Sequence, residues 1–372
     1  MAQNASYHQQ AEIQRNQRIR EICKELPDAC TDFFYAISQT TSALTRLAYA
    51  YDLRLFFQYL TMEQADFAGC DPRLISVEQI GKITARQLRD FQDYLTQYIK
   101  QSSDQNAETI ISNHELGIMR KLCAVRSFFE FLFSNEKIPA NIATLVPLPK
   151  LHEKPILFLE KEEVEKLLEV AESGNGLSEQ QKRFQKVTKN RDIAILTLFL
   201  GTGIRVSELV GIDIDDIDFS INGFVVTRKG GNQTILYFPE TVAENLQTYL
   251  RERREIEAAP GHENAMFLSL QRKRITQRAV ELLVKKYAMI AAPLKKKISP
   301  HKLRSTFGTS LYQETGDIYL VADVLGHADV NTTRKHYAAM TDSRKREAAK
   351  RVVLPEVQPA AEQQEDKKEN EE

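Results

Sequence analysis

Nowhere in the 372 residues do eighteen apolar residues run consecutively, which argues against a membrane-spanning helix. The opening stretch, MAQNASYHQQAEIQRNQRIR, lacks the apolar core of a secretory signal. Cysteine is scarce. Cys23, Cys30, Cys70 and Cys123 all fall in the first third, with neither metal-ligand nor regular disulfide spacing. They read as reduced thiols in a cytoplasmic protein, and no metal site is expected from them. A strong net charge is missing too: the formal value is −1 at pH 7, which taken whole argues against a polyanionic partner.

Divided along the chain, the charge reads differently. Residues 356–372 hold seven acids and two lysines, a net of −5, so the preceding 355 residues carry +4. Between Gln271 and Arg304 there are eleven Lys or Arg residues and one acid, Glu281. A local basic stripe is the electrostatic footprint of a nucleic-acid contact, and Lys295, Lys296, Lys297, Arg272 and Arg278 are its candidate DNA-binding residues. The plainer reading of the same residues is a solvated helix face.

The length suggests two domains. TSALTRLAYAYDLRLFFQYL, ITARQLRDFQDYLTQYI and HELGIMRKLCAVRSFFEFLF carry apolar residues at helical spacing, with Thr84 placed to cap the second. In the third, Leu122, Val125, Phe128, Phe129 and Leu132 form the stripe to be buried, with Arg120, Lys121 and Arg126 turned elsewhere. These segments make a helical domain over residues 31–147, after an N-terminal extension (1–30). PLPKLHEKP breaks the helical period, which sets a linker at 148–157. A second, mostly helical domain (158–355) contains a polar insert, SGNGLSEQQKRFQKVTKN. It also contains a buried helix that ends in a Gly turn, and one β-hairpin, GFVVTRKGGNQTILYFP. Residues 356–372 are too polar to fold and read as a disordered acidic tail. The fold class is therefore mainly α with a small antiparallel β-sheet.

Several residues are placed for phosphate chemistry. Arg205 follows Thr-Gly-Ile at a helix start, where backbone N–H groups favour an anion and a guanidinium adds two parallel donors. Lys229 sits at the hairpin tip. His301 and Arg304 share a helix face. His327 follows Leu-Gly, and Tyr337 comes ten residues later. Singly, each has an ordinary reading. Arg205 can pair with Glu208, Lys229 can be a solvated turn lysine, and His301 can cap the helix after Pro300. His327 can be a satisfied core histidine and Tyr337 a helix tyrosine. Their order and company carry the argument.

TGIRVSELVGI, TRKGGN, HKLRSTFGT and VLGHADVNTTRKHY together resemble the successive active-site boxes of the tyrosine recombinase (phage integrase) family, in a Xer-like form. The segment before Pro147 is similar to that family's helical, SAM-like core-binding domain. The resemblance implies that Arg205 and Arg304 clamp the scissile phosphate, with Glu208 bracing the first arginine. Tyr337 is the implied nucleophile, forming a 3′-phosphotyrosyl link, and Lys229 the implied proton donor to the leaving 5′-hydroxyl. His301 would assist as proton acceptor and His327 as a phosphate ligand. Two arginines and a lysine supply charge stabilisation that metal ions provide elsewhere, so no cofactor, metal or nucleotide is implied. The implied partners are a double-stranded DNA recombination site and further copies of the chain, two on each site and four in the synapse, with nucleoid association when bound and no membrane.

The boxes also depart from the family pattern. His336 stands nine residues after His327, where many members have the tyrosine; Ser305 replaces a second histidine; Arg228 precedes Lys229 where glycine is common. The resemblance leaves open a mobile-element integrase or a Xer-type chromosome-dimer resolvase. A type IB topoisomerase-like strand relaxer, and a DNA-binding relative without catalysis, are the rival readings.

Overall fold

The computed structural model describes residues 7–101, 108–152, 157–228, 231–295, 297–326 and 329–331. The chain divides into two compact units, the first made mainly of residues up to 155 and the second mainly of those after it.

The first unit contains α1 (Tyr7–Cys23), α2 (Asp28–Ala36), α3 (Ala43–Glu63), α4 (Val77–Ile80), α5 (Ala85–Tyr94) and α6 (Glu115–Ser134), with strands β1 (Gln97–Gln101) and β2 (Glu108–Ser112) between α5 and α6. α3, α4 and α5 start where side chains satisfy the unpaired first-turn N–H groups. Ser42 caps α3, and Thr84 and Gln87 exchange hydrogen bonds in a capping box at α5. Aromatic rings fill the core. Phe33, Phe56, Phe57, Phe91, Phe128 and Phe129 are fully buried, with Phe56 and Phe91 edge to face at 5.0 Å.

Three expectations change in this unit. The first thirty residues are not separate from the helical domain: Ile19, Ile22, Leu26 and Cys30 belong to its core, and α1 packs on α3. The basic residues of α6 are used internally. Lys121 is buried and donates to Asn113 Oδ1 at 2.9 Å, Arg120 pairs with buried Asp52, and Arg126 donates to the Ala143 and Val146 carbonyls. Burial pushes the Asp52 carboxyl up to about 6, with Arg120 and Lys121 pulling the other way. Finally, the helix expected to run through Ile99 stops at Tyr94. Tyr98 and Ile99 instead lie in β1, opposite Ile111 and Ile110 of β2. β-branched and aromatic residues suit a pleated strand, and Tyr98 stacks on Tyr94 at 5.2 Å.

The second unit begins with α7 (Lys161–Ser173), α8 (Glu179–Thr202) and the short α9 (Val206–Leu209). A three-stranded sheet follows, ordered β3 (Ile217–Asp218), β4 (Gly223–Thr227), β5 (Gln233–Tyr237). α10 (Glu240–Glu255), α11 (Gln277–Ala291), α12 (Pro300–Thr315) and α13 (Ile318–Leu325) complete it. Most of the polar insert is the first half of α8, started by a Ser178–Gln181 capping box and held to α7 by Gln185, which donates to the Ala171 carbonyl at 2.8 Å. Asp192 ties α8 to α11. Fully buried, it accepts from Thr188 (3.1 Å), Arg191 (2.7 Å), Lys286 (3.1 Å) and the Tyr287 hydroxyl (2.8 Å). Burial and the adjacent carboxylate raise the Tyr287 phenol above its ordinary value. Among the described residues no helix is long and apolar enough to cross a membrane.

Candidate active site

α8 ends at Gly203, whose left-handed backbone (φ 61°) reverses the chain and lets its N–H cap the Phe199 carbonyl. Two residues later Arg205 is the N-cap of α9. Its own backbone N–H donates to Glu208 Oε2 at 2.9 Å, and its Nη1 donates to Glu208 Oε1 at 2.8 Å. Glu208 is 4% exposed and Arg205 32% exposed, so a buried carboxylate fixes a cation that still reaches the surface. The other guanidinium arm, Nη2, donates to the Gly326 carbonyl at 2.9 Å.

Arg304 arrives from α12 and is buried. Its Nη1 donates to the Gly203 carbonyl at 2.6 Å and its Nη2 to the Leu325 carbonyl. The two arginines, ninety-nine positions apart in sequence, thus meet at the end of α13, Arg205 on the Gly326 carbonyl and Arg304 on the Leu325 carbonyl, and Arg304 alone also holds the end of α8 at Gly203. Carbonyls left unpaired at a helix C-terminus carry partial negative charge and suit a cation. Gly326, in the left-handed region at φ 60°, makes the α13 end possible. Gly203 has a second constraint: a Cβ there would lie 2.5 Å from Phe307 Cδ1 and 2.9 Å from Leu325 Cδ2. His301 is exposed in the first turn of α12, one turn before Arg304. The N-cap of that helix is Ser299, so His301 is not its cap.

Residues 157–344 match the phage integrase family, and that stretch contains both arginines. The tyrosine recombinase XerC of Chlorobaculum tepidum is 32% identical over 323 residues, covering 84% of this chain and 89% of that protein. The XerC of Caldanaerobacter subterraneus subsp. tengcongensis is 33% identical over 326 residues, covering 86% and 85%. The chain belongs to the phage integrase family of tyrosine recombinases. Its fold is also that of a solved relative, the XerH site-specific recombinase bound to palindromic difH substrate. The TM-score is 0.60 at 19% identity, over 91% of this chain and 94% of the other.

Of the recombinase boxes, the described residues bring together Arg205, Glu208 and Arg304, with His301 on the same helix as Arg304. Lys229, His327 and Tyr337 lie outside the described residues, as do Lys296 and the acidic tail. Arg228, beside Lys229, donates its backbone N–H to the Asn232 carbonyl at 2.8 Å. Ser305 donates its hydroxyl to the His301 carbonyl at 3.1 Å, spending it inside the helix.

The basic stripe needs correction. Lys295 points inward: its Nζ donates to the Phe158 carbonyl at 2.9 Å and to Glu163 Oε2 at 2.5 Å, and it is only 24% exposed. A cation already spent on a carboxylate and a carbonyl is a poor phosphate ligand. Lys297 is exposed. Arg272 is exposed at a tight turn, in the left-handed region at φ 59°, and Arg278 pairs in solvent with Glu281 at 3.1 Å. Sequence reasoning missed the carbonyl anchors at Gly203, Leu325 and Gly326 as partners of the arginines. Its available signal was a glycine directly after each apolar helix, the pattern of a left-handed C-cap.

Proposed function

We propose that the chain cuts and rejoins DNA at specific sites through a covalent 3′-phosphotyrosyl intermediate. The Tyr337 oxygen attacks the scissile phosphorus and the bond to the 5′-oxygen breaks. His301 takes the phenolic proton, and Lys229 delivers a proton to the leaving 5′-hydroxyl. Arg205 and Arg304 hold the two non-bridging oxygens, and His327 donates a further hydrogen bond. A 5′-hydroxyl from the partner strand then attacks the phosphotyrosine, reversing the same steps. The phosphodiester is exchanged rather than hydrolysed, so its energy is kept and neither ATP nor a metal ion enters the balance.

The observation that carries this reading is the pair of arginines converging on the end of α13, one on the Gly326 carbonyl and one on the Leu325 carbonyl, in a chain of this family. Guanidinium groups fixed in place by the protein are charge preorganised for phosphate oxygens, and preorganised charge is the largest contribution to phosphoryl transfer. The partner is double-stranded DNA, with two copies on each site and four in the synapse.

The test begins with a binding site selected by the wild-type chain from a random-sequence duplex pool. The selected site is then nicked near the crossover so that cleavage traps the protein. Wild type should form a covalent adduct, and Tyr337→Phe should bind equally well without forming one. An adduct with Tyr337→Phe would move the nucleophile to another tyrosine, such as Tyr312 or Tyr319. Binding without an adduct in the wild type would favour a DNA-binding relative that has lost catalysis.

A further inference from the structure

One peptide group at the start of the second unit is held from both sides. The Phe158 carbonyl accepts from Lys295 Nζ at 2.9 Å, and the N–H of the same peptide, that of Leu159, donates to Thr306 Oγ1 at 2.9 Å. Thr306 is 2% exposed and returns its own hydroxyl proton to the Lys302 carbonyl at 2.9 Å, so its oxygen is used both ways. Lys295 also reaches Glu163 Oε2, the oxygen that accepts the Glu160 N–H at the start of α7, and its Nζ stands 5.7 Å from the Phe158 ring centre. The residue on each side of this arrangement is apolar and buried: Leu159 next to the peptide, Ile298 after the lysine loop.

The geometry bears on α12. Thr306 lies two residues beyond Arg304, roughly 200° around the helix. One face of α12 is therefore fixed by Arg304 to the Gly203 and Leu325 carbonyls, and the nearly opposite face by Thr306 to the Leu159 N–H. Two anchors on opposite faces set the rotation of a helix more firmly than either alone. That rotation decides where His301 and Arg304 point.

We propose that Thr306 and Lys295 are positioning residues for strand cleavage, clasping the Phe158–Leu159 peptide so that α12 presents His301 and Arg304 in register. The rate readout rests on the function proposed above. The clasp also gives Lys295 a role opposite to a phosphate contact, because it would change the rate of the bound complex and leave affinity alone.

The experiment uses the full chain and the nicked duplex carrying its selected site. Adduct formation is timed at saturating DNA, and affinity is measured against salt in a Tyr337→Phe background. Thr306→Val, which keeps shape and removes the hydroxyl, should slow cleavage about tenfold or more, the scale expected for a small misplacement of catalytic groups. Thr306→Ser should recover most of the rate. Lys295→Met, at a partly exposed position, should slow cleavage with an unchanged salt slope. A slope reduced by about one phosphate contact in Lys295→Met would return that residue to the DNA interface and overturn its part in the clasp. Full-rate cleavage by Thr306→Val, or equal impairment of the Val and Ser variants, would overturn the role of the hydroxyl. Hydrogen exchange without DNA supplies an arm independent of recombination. The Leu159 amide should exchange faster in Thr306→Val than in wild type or Thr306→Ser, and equal protection in all three would remove the clasp itself. Absence of any adduct in the wild type would instead count against the proposed function, with the exchange arm still deciding the clasp.

Discussion

At Glu208 one carboxylate serves two donors of the same residue, the backbone N–H and the guanidinium of Arg205. The two bonds are separable by mutation. Glu208→Gln keeps an acceptor oxygen for the N–H and loses the charge that strengthens the bond to Nη1. The α9 turn should therefore survive at a cost of about 1.5–3 kcal/mol, the range for a hydrogen bond to a charged group, read from denaturant midpoints. Cleavage at saturating DNA should fall about tenfold, equivalent to about 1.4 kcal/mol of transition-state stabilisation, because an unbraced arginine samples other rotamers. A Gln variant that cleaves at the wild-type rate would mean that the Gly326 carbonyl alone orients Arg205. Lys295 shows the opposite case at this scale. Composition marked it as one of eleven cations in a basic stripe, but its partners Phe158 and Glu163 lie more than 130 positions away. No local pattern carries that information.

Among the helices and strands, legibility follows how local the cause is. The α6 stripe of Leu122, Val125, Phe128, Phe129 and Leu132 is buried as its 3.6-residue spacing predicts, and Thr84 caps α5 because the capping bonds span only three residues. The β1–β2 hairpin was not readable, since Tyr98 and Ile99 continue an apolar spacing that also fits a helix and only pairing with Ile111 and Ile110 decides the matter. Lys121 was misplaced because a buried lysine depends on Asn113, eight positions away, for its hydrogen bond. The glycine after α8 is half readable: a helix stop is visible, but the approach of α12 and α13 to it is not. That difference can be measured. Gly203→Ala should lose about 1–2 kcal/mol for the left-handed backbone and about 1–3 kcal/mol more for the collision with Phe307 and Leu325. Gly69→Ala has a similar φ of 71° with nothing within 4 Å of the added carbon, and should lose only the backbone part. Equal losses in the two variants, by chemical denaturation, would mean that α12 and α13 yield freely around Gly203.

For the molecule as a whole, the near-neutral formal charge conceals two opposing parts, −5 over residues 356–372 and +4 over the rest. A chain that neutralises phosphates gains affinity by releasing counterions, and an anionic segment of its own competes for the same cations. Removing residues 356–372 should therefore tighten non-specific DNA binding while leaving the rate of adduct formation on the nicked site unchanged, since no proposed catalytic residue is lost. The gain should be largest at low salt and shrink as the screening length falls from about 10 Å at 0.1 M to about 3 Å at 1 M. Among the exposed cations, Lys297→Gln and Arg272→Gln should each reduce the slope of log affinity against log salt by about one, whereas Lys295→Met should not. Arg278, shared in solvent with Glu281, should fall between them. A truncated chain that bound DNA more weakly, or whose gain persisted undiminished at 1 M salt, would show that the acidic segment acts by contact rather than by charge.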